Sequence, residues 1–136
     1  MKQTKTVMLR ATISGLMLVA AVARAGDVEI KEVYLHQQGS SWQAQVTLLH
    51  ADTGWEHYAD AWRLVDANGK QLGNRVLYHP HVNEQPFTRS LSGIDIPAGT
   101  DVIFVEAHDK QHGWSPQRIK IDLNTSSGER YHIRRE

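Results

Sequence analysis

The chain has 136 residues, no cysteine, and 15 Lys and Arg against 15 Asp and Glu. The lack of cysteine excludes a disulfide scaffold, a thiolate metal site and a cysteine nucleophile. The balanced charge hides an asymmetry, because the first stretch differs in kind from the rest.

Lys2, Lys5 and Arg10 precede an uncharged apolar run over residues 11–23, which ends in Ala23-Arg24-Ala25 before Gly26. A basic start, a short apolar run and a small-x-small ending mark a secretory signal peptide, so residues 1–25 are expected to be removed and the mature domain to be periplasmic or secreted. The run falls short of the roughly 20 residues that a membrane span needs, so no membrane attachment is expected after cleavage. Removing 25 of 136 residues leaves 111, and removing four of the 15 basic residues leaves 11 against 15 acidic ones, a net charge of −4. Without a basic stripe to hold phosphates, nucleic acid is not an expected partner. Met1, Met8 and Met17 leave with the leader, which removes the thioether donors that suit Cu(I), whereas all 8 histidines stay.

The mature region alternates apolar and polar residues in short runs separated by turn residues, and no stretch sustains a helical period. Candidate strands fall at residues 28–37, 42–50, 58–66, 71–79, 87–91, 102–108 and 118–123. About seven strands in about 100 residues suggest an all-β, immunoglobulin-like antiparallel β-sandwich over residues 26–123. Asp66-Ala67-Asn68-Gly69-Lys70 is a hairpin signal, and Ile96-Pro97-Ala98-Gly99-Thr100 turns the chain again. In the second strand Trp42, Ala44, Val46 and Leu48 share a face that His50 continues; in the third, Trp62 and Leu64 share one with Tyr58 and Asp60. The sixth, Val102-Ile103-Phe104-Val105, is apolar on both faces, as a central strand would be. Residues 124–136 carry few apolar side chains and are expected to form a mobile polar tail.

The histidines fall largely at strand ends: His50 and His57, His79-Pro80-His81, His108-Asp109, and His112. Residues i and i+2 of an extended chain point the same way, so His79 and His81 offer two imidazoles to one side, stiffened by Pro80. Any one loop histidine is most simply a solvated or hydrogen-bonded group, and His36 and His132 are read that way. A sandwich gathers strand ends, however, and neutral imidazole keeps a lone pair at ordinary pH with a reference pKa near 6.5. The expected metal site therefore draws on His50, His57, His79, His81, His108, Asp109 and His112. Glu56 or Asp60 would orient a ligating ring from behind, as carboxylates commonly do. Arg89 and Glu84 are expected to pair and lock the loop beside His79-Pro80-His81. No nucleophile elbow accompanies the serines and no Gly-rich phosphate loop is present, so no catalytic residue is assigned.

The segment His50-Ala51-Asp52-Thr53-Gly54-Trp55-Glu56-His57-Tyr58-Ala59-Asp60-Ala61-Trp62 and the later Asp109-Lys110-Gln111-His112-Gly113-Trp114 resemble the iron domain of superoxide reductases, the desulfoferrodoxin group. That family carries His-Pro-x-x-x-Glu-His-Tyr-Ile-x-Trp and Cys-Asn-x-His-Gly-x-Trp on an immunoglobulin-like sandwich. The resemblance covers about half of the mature chain and implies that His50, His57 and His112 are metal ligands. Here one extra residue separates the first two histidines, and Asp109 stands where the family has its ligating cysteine. A carboxylate is a harder donor than a thiolate and lacks its electron push onto the metal. A nitrogen and oxygen donor set suits Zn(II), Cu(II), Ni(II) or Fe(II) without choosing among them.

The sequence thus points to a periplasmic or secreted β-sandwich that binds a transition metal ion through clustered histidines, in metal handling or a metal-dependent redox role. Two alternatives stand beside it. One is an interaction module that anchors a protein partner on Trp55, Trp114 and Phe87. The other is a superoxide-reductase-like metalloenzyme with an open coordination position. Enzymatic and non-enzymatic roles both stay open.

Overall fold

A computed structural model describes residues 26–136; the expected leader, residues 1–25, lies outside them. The described residues form β1 (Glu29–Gln38), β2 (Ser41–Leu49), β3 (Ala59–Asp66), β4 (Gln71–Val76), β5 (Phe87–Ile94), β6 (Val102–Asp109), β7 (Gly113–Asp122), β8 (Ser127–Gly128) and β9 (Tyr131–Arg135), with no helix among them. They build two sheets, ordered β5-β2-β1-β9-β8 and β4-β3-β6-β7. This is the expected all-β sandwich, with β8 and β9 added. Every pairing is antiparallel except that of β1 with β9.

Alternation explains the core. Trp42, Ala44, Val46 and Leu48 of β2 are buried together with Val33 and Leu35 of β1, and they face Trp62 and Leu64 of β3, Ile103 and Val105 of β6, and Ile119 and Ile121 of β7. Full burial of each such Val, Leu or Ile contributes about 1.5–3 kcal/mol, so the two inner faces hold the sheets together. The outer face of β6 is only half covered: Phe104 lies under the Arg118 guanidinium, 3.7 Å from its ring centre. The β3–β4 hairpin forms at the expected turn, where Asp66 Oδ1 accepts from the N–H groups of Asn68 and Lys70 at 2.8 and 2.9 Å and Gly69 supplies the positive φ of +81°.

Two expectations are corrected. In β3 the pairing with β6 shifts register between Ala59 and Ala61, so the inward face passes from Ala59 to Trp62 while Asp60 points out of the sandwich. A bulge inserts one residue into a strand, which breaks the simple i, i+2 rule by which Asp60 had been placed with Trp62. The segment expected to be a mobile tail instead ends in β9, which pairs in parallel with β1 from Val33↔Tyr131 to Gln37↔Arg135. Its two apolar side chains, Tyr131 and Ile133, sit two apart and are both buried. Composition alone hid this, because the open edge of β1, not the tail's own hydrophobicity, supplies most of the pairing.

The first described residues are also tied down. Val28 N–H donates to the buried Ser115 Oγ at 2.9 Å, Ile30 N–H donates to Gln117 Oε1 at 2.7 Å, and the Gln117 amide returns a bond to Ile30 O at 3.2 Å. These contacts join β1 to β7 across the two sheets. They also bring Gly26 and Asp27 to the end of the sandwich where β6 turns into β7.

Candidate metal centre

Asp109 is the centre of that end. It is the last residue of β6 and wholly buried. Its Oδ1 accepts from the backbone N–H groups of Gln111 and His112, both at 2.8 Å, which closes the tight turn into β7. The turn brings the His112 ring back over its own anchor, with Nδ1 3.1 Å from Asp109 Oδ1 and 3.2 Å from Oδ2. Burial pushes the Asp109 carboxyl pKa up, but the backbone N–H groups of His112 and Gln111 and the nearby His112 ring outweigh it, and the net shift is downward. Asp109 is therefore a buried carboxylate held in its charged form, and its ion-pair partners among the described residues are histidines.

His57 arrives from the β2–β3 connection. Thr53 N–H donates to His57 O and His57 N–H donates to Gly54 O, a miniature hairpin that presents the ring to Asp109. Its Nε2 lies 3.4 Å from Asp109 Oδ1. That separation is too poorly aligned for a hydrogen bond, and this buried nitrogen has no hydrogen-bond partner. The His57 ring centre is 4.8 Å from that of His50 and 5.0 Å from that of His112.

His50 follows β2 on its inward face and is 3% exposed. Asp52 Oδ1 accepts from His50 Nδ1 at 2.5 Å and from Ala59 N–H at 3.0 Å, while Asp52 Oδ2 accepts from His81 N–H at 2.7 Å. The Asp52 carboxylate thus fixes the His50 tautomer and turns Nε2 toward the cluster, the arrangement by which carboxylates orient ligating imidazoles. His50 Nε2 lies 2.8 Å from Gly26 O. An ion bound at Nε2 therefore displaces the contact with the Gly26 carbonyl.

Two overlapping donor groups result. His50, His57 and Asp109 offer donor atoms within 4.8 Å of one another, and so do Asp27, Asp109 and His112. Donors bound to one tetrahedral zinc at about 2.0–2.1 Å would sit roughly 3.3 Å apart, so the group needs a modest contraction to close on an ion. The two groups share Asp109, and their imidazole and carboxylate donors are of the kinds that suit a borderline divalent metal.

The other sequence-predicted residues lie elsewhere. His81 is buried on the far oxygen of Asp52, with its ring stacked on Phe87 at 4.0 Å between centres and neither ring nitrogen hydrogen-bonded. Burial is the main cause that lowers its pKa, with help from Arg89 and His79. His79, 4.6 Å from His81 between ring centres, is exposed. His108 projects from the opposite face of β6 to Asp109, where it pairs with Asp60 at 2.5 Å and packs edge-on against Trp114. Adjacent residues of a strand point to opposite faces, which separates His108 from Asp109 however close they are in sequence. Of the carboxylates expected to orient a ring, Asp60 serves His108 on that outer face and Glu56 is exposed. Arg89 and Glu84 pair as expected, at 3.0 Å. His36 and His132 pair with Glu136 and Glu32. Asp27 and Gly26 had no sequence signal, because their approach to the cluster depends on how the chain before β1 crosses the sandwich, and the role of Asp52 had none because it rests on contacts with Ala59 and His81, distant along the chain.

No protein-family model matches the chain. It is 35% identical over 119 residues to a Halomicrobium mukohataei protein described as "Putative lipoprotein", covering 79% of this chain and 57% of that one. The chain thus spans a little over half the length of this relative. A crystal structure of a DUF3823 family protein from Bacteroides ovatus aligns with 71% of this chain and 55% of its own, at 15% identity and a TM-score of 0.44. Neither is described as a superoxide reductase.

Proposed function

We propose that this protein is an extracytoplasmic β-sandwich that binds one transition metal ion among His50, His57, Asp109 and His112, with Asp27 at its edge. The observation that carries the reading is the buried His57 Nε2, which has no hydrogen-bond partner and faces a wholly buried carboxylate. A buried polar atom left without a partner costs about 1–3 kcal/mol, and a cation between His57 and Asp109 removes that cost while neutralising the carboxylate. The leader-like residues 1–25 and the lipoprotein description of the relative both favour a location outside the cytoplasm. When bound, the ion supplies Lewis acidity or a redox couple; the chain's own residues position it and shield it from one side. His79, His81 and His108 support the surrounding loops and the outer face in this reading.

Elemental analysis of protein recovered from the extracytoplasmic fraction tests it. The expected result is close to one equivalent of Zn, Cu, Ni or Fe, lost in the His57→Ala, His112→Ala double variant with the β-sheet circular dichroism unchanged. Sub-stoichiometric metal that is the same in both proteins defeats the proposal. A second reading, a protein-binding module, rests on Trp55, Tyr78 and Val82, which are 64%, 74% and 53% exposed. Phe87, one of the anchors expected from sequence, is buried beneath His81, and Trp114 is partly covered by Arg63, 3.7 Å from its ring centre.

A further inference from the structure

We infer that the free α-amino group of Gly26, made when the chain is cut between Ala25 and Gly26, is itself a ligand of the metal centre. The inference rests on the metal-binding reading above and adds a donor that no side chain provides.

The Gly26 backbone, not a side chain, occupies the heart of the cluster. Its carbonyl oxygen is 2.8 Å from His50 Nε2. A Cβ at this position would come within 2.8 Å of His112 Cε1. That contact favours glycine here, since a residue without Cβ lets the backbone come this close to the site. The approach is anchored by the bonds of Val28 and Ile30 to Ser115 and Gln117, and the next residue, Asp27, contributes to the donor group of Asp109 and His112.

While residue 25 is attached, the Gly26 nitrogen is part of a peptide bond and its lone pair is delocalised into the carbonyl. Water added across the Ala25–Gly26 bond by a leader-removing endopeptidase leaves a carboxyl on Ala25 and places hydrogen on the Gly26 nitrogen. The lone pair is then localised, on an atom bonded directly to the Cα whose Cβ position would run into the His112 ring. The amine and carbonyl oxygen of Gly26 belong to one residue and can close a five-membered ring on an ion. With His50, His57 and His112 they make a nitrogen-rich set, in which Cu(II) binds more tightly than the other first-row divalent ions. The uncut precursor lacks this donor, so removal of the leader completes the site.

The test compares residues 26–136 bearing a native Gly26 amine with the same residues acetylated at that nitrogen, which makes it an amide and leaves no free α-amine. The amide form should bind Cu(II) at least about tenfold more weakly in competition with a chromophoric chelator, since losing even a supporting group costs metal sites that much. The metal-free unfolding midpoints should agree, which separates lost ligation from lost folding. Labelling the glycines with ¹⁵N should change the nitrogen superhyperfine pattern of the Cu(II) spectrum only where the Gly26 amine is free. No isotope effect in the free-amine form overturns the inference whatever the affinities. If both forms also bind one equivalent equally well, the side-chain site stands without the amine; if neither binds, the metal-binding reading falls too.

Discussion

Asp52 organises more of this end of the molecule than any histidine does. Its two oxygens hold the His50 ring, the Ala59 N–H and the His81 N–H, and the side chain is wholly buried. Asp52→Ala would strand three buried donors at about 1–3 kcal/mol each, so chemical denaturation should show a loss of about 3 kcal/mol or more. Asp52→Asn keeps one accepting oxygen and should cost less stability. His81 makes a pH prediction. Its pKa is held below its ordinary value by burial, then by Arg89 and His79, against the opposing pull of Glu84 and Asp52. The unfolded chain therefore takes up a proton at His81 near pH 6.5 while the folded chain does not, and the associated stability is complete above about pH 6.5 and lost as pH falls toward the folded value. Metal-free His81→Phe should lose less stability than the parent between pH 6.5 and 5 in urea titrations; parallel curves would remove His81 from the balance. Residue by residue, His50, His57, Asp109 and His112 were readable because local spacing and strand ends carry them. Asp52 was in plain view in the sequence, yet its role depends on reaching both Ala59 and His81, which spacing along the chain does not reveal.

Among the elements, the strands whose inner faces are apolar were readable from alternation, and the Asn68-Gly69 turn marked its hairpin. Two features escaped for the same physical reason, that strand pairing is not local. The bulge between Ala59 and Ala61 reverses the facing of Asp60, and β9 is stabilised by the edge of β1 nearly 100 residues earlier. Deleting residues 124–136 should therefore destabilise the domain by about 3 kcal/mol or more, the burial value of Tyr131 and Ile133, and expose the β1 edge to self-association. Thermal unfolding and light scattering of the truncated protein check both effects; an unchanged midpoint would return these residues to the status of a tail.

At the level of the whole molecule, the donors come from both sheets: His50 follows β2 of one, Asp109 ends β6 of the other, His57 sits on the β2–β3 connection between the sheets, His112 on the β6–β7 turn, and Asp27 just before β1. An ion there clips the sandwich at one end and binds the folded state alone, so it should raise stability by about 2.7 kcal/mol at a hundredfold excess over its dissociation constant. The midpoint should climb with Zn(II) concentration, fall back with chelator, and stay flat in the His57→Ala, His112→Ala double variant. The most direct measurement is anomalous diffraction from crystals of residues 26–136 grown with Zn(II), collected on either side of the zinc edge. A single strong peak is predicted between His57 Nε2 and Asp109, about 2.0–2.1 Å from the histidine nitrogens. A peak at His79 and His81 or on the outer face at His108, with none beside Asp109, would contradict the proposed centre.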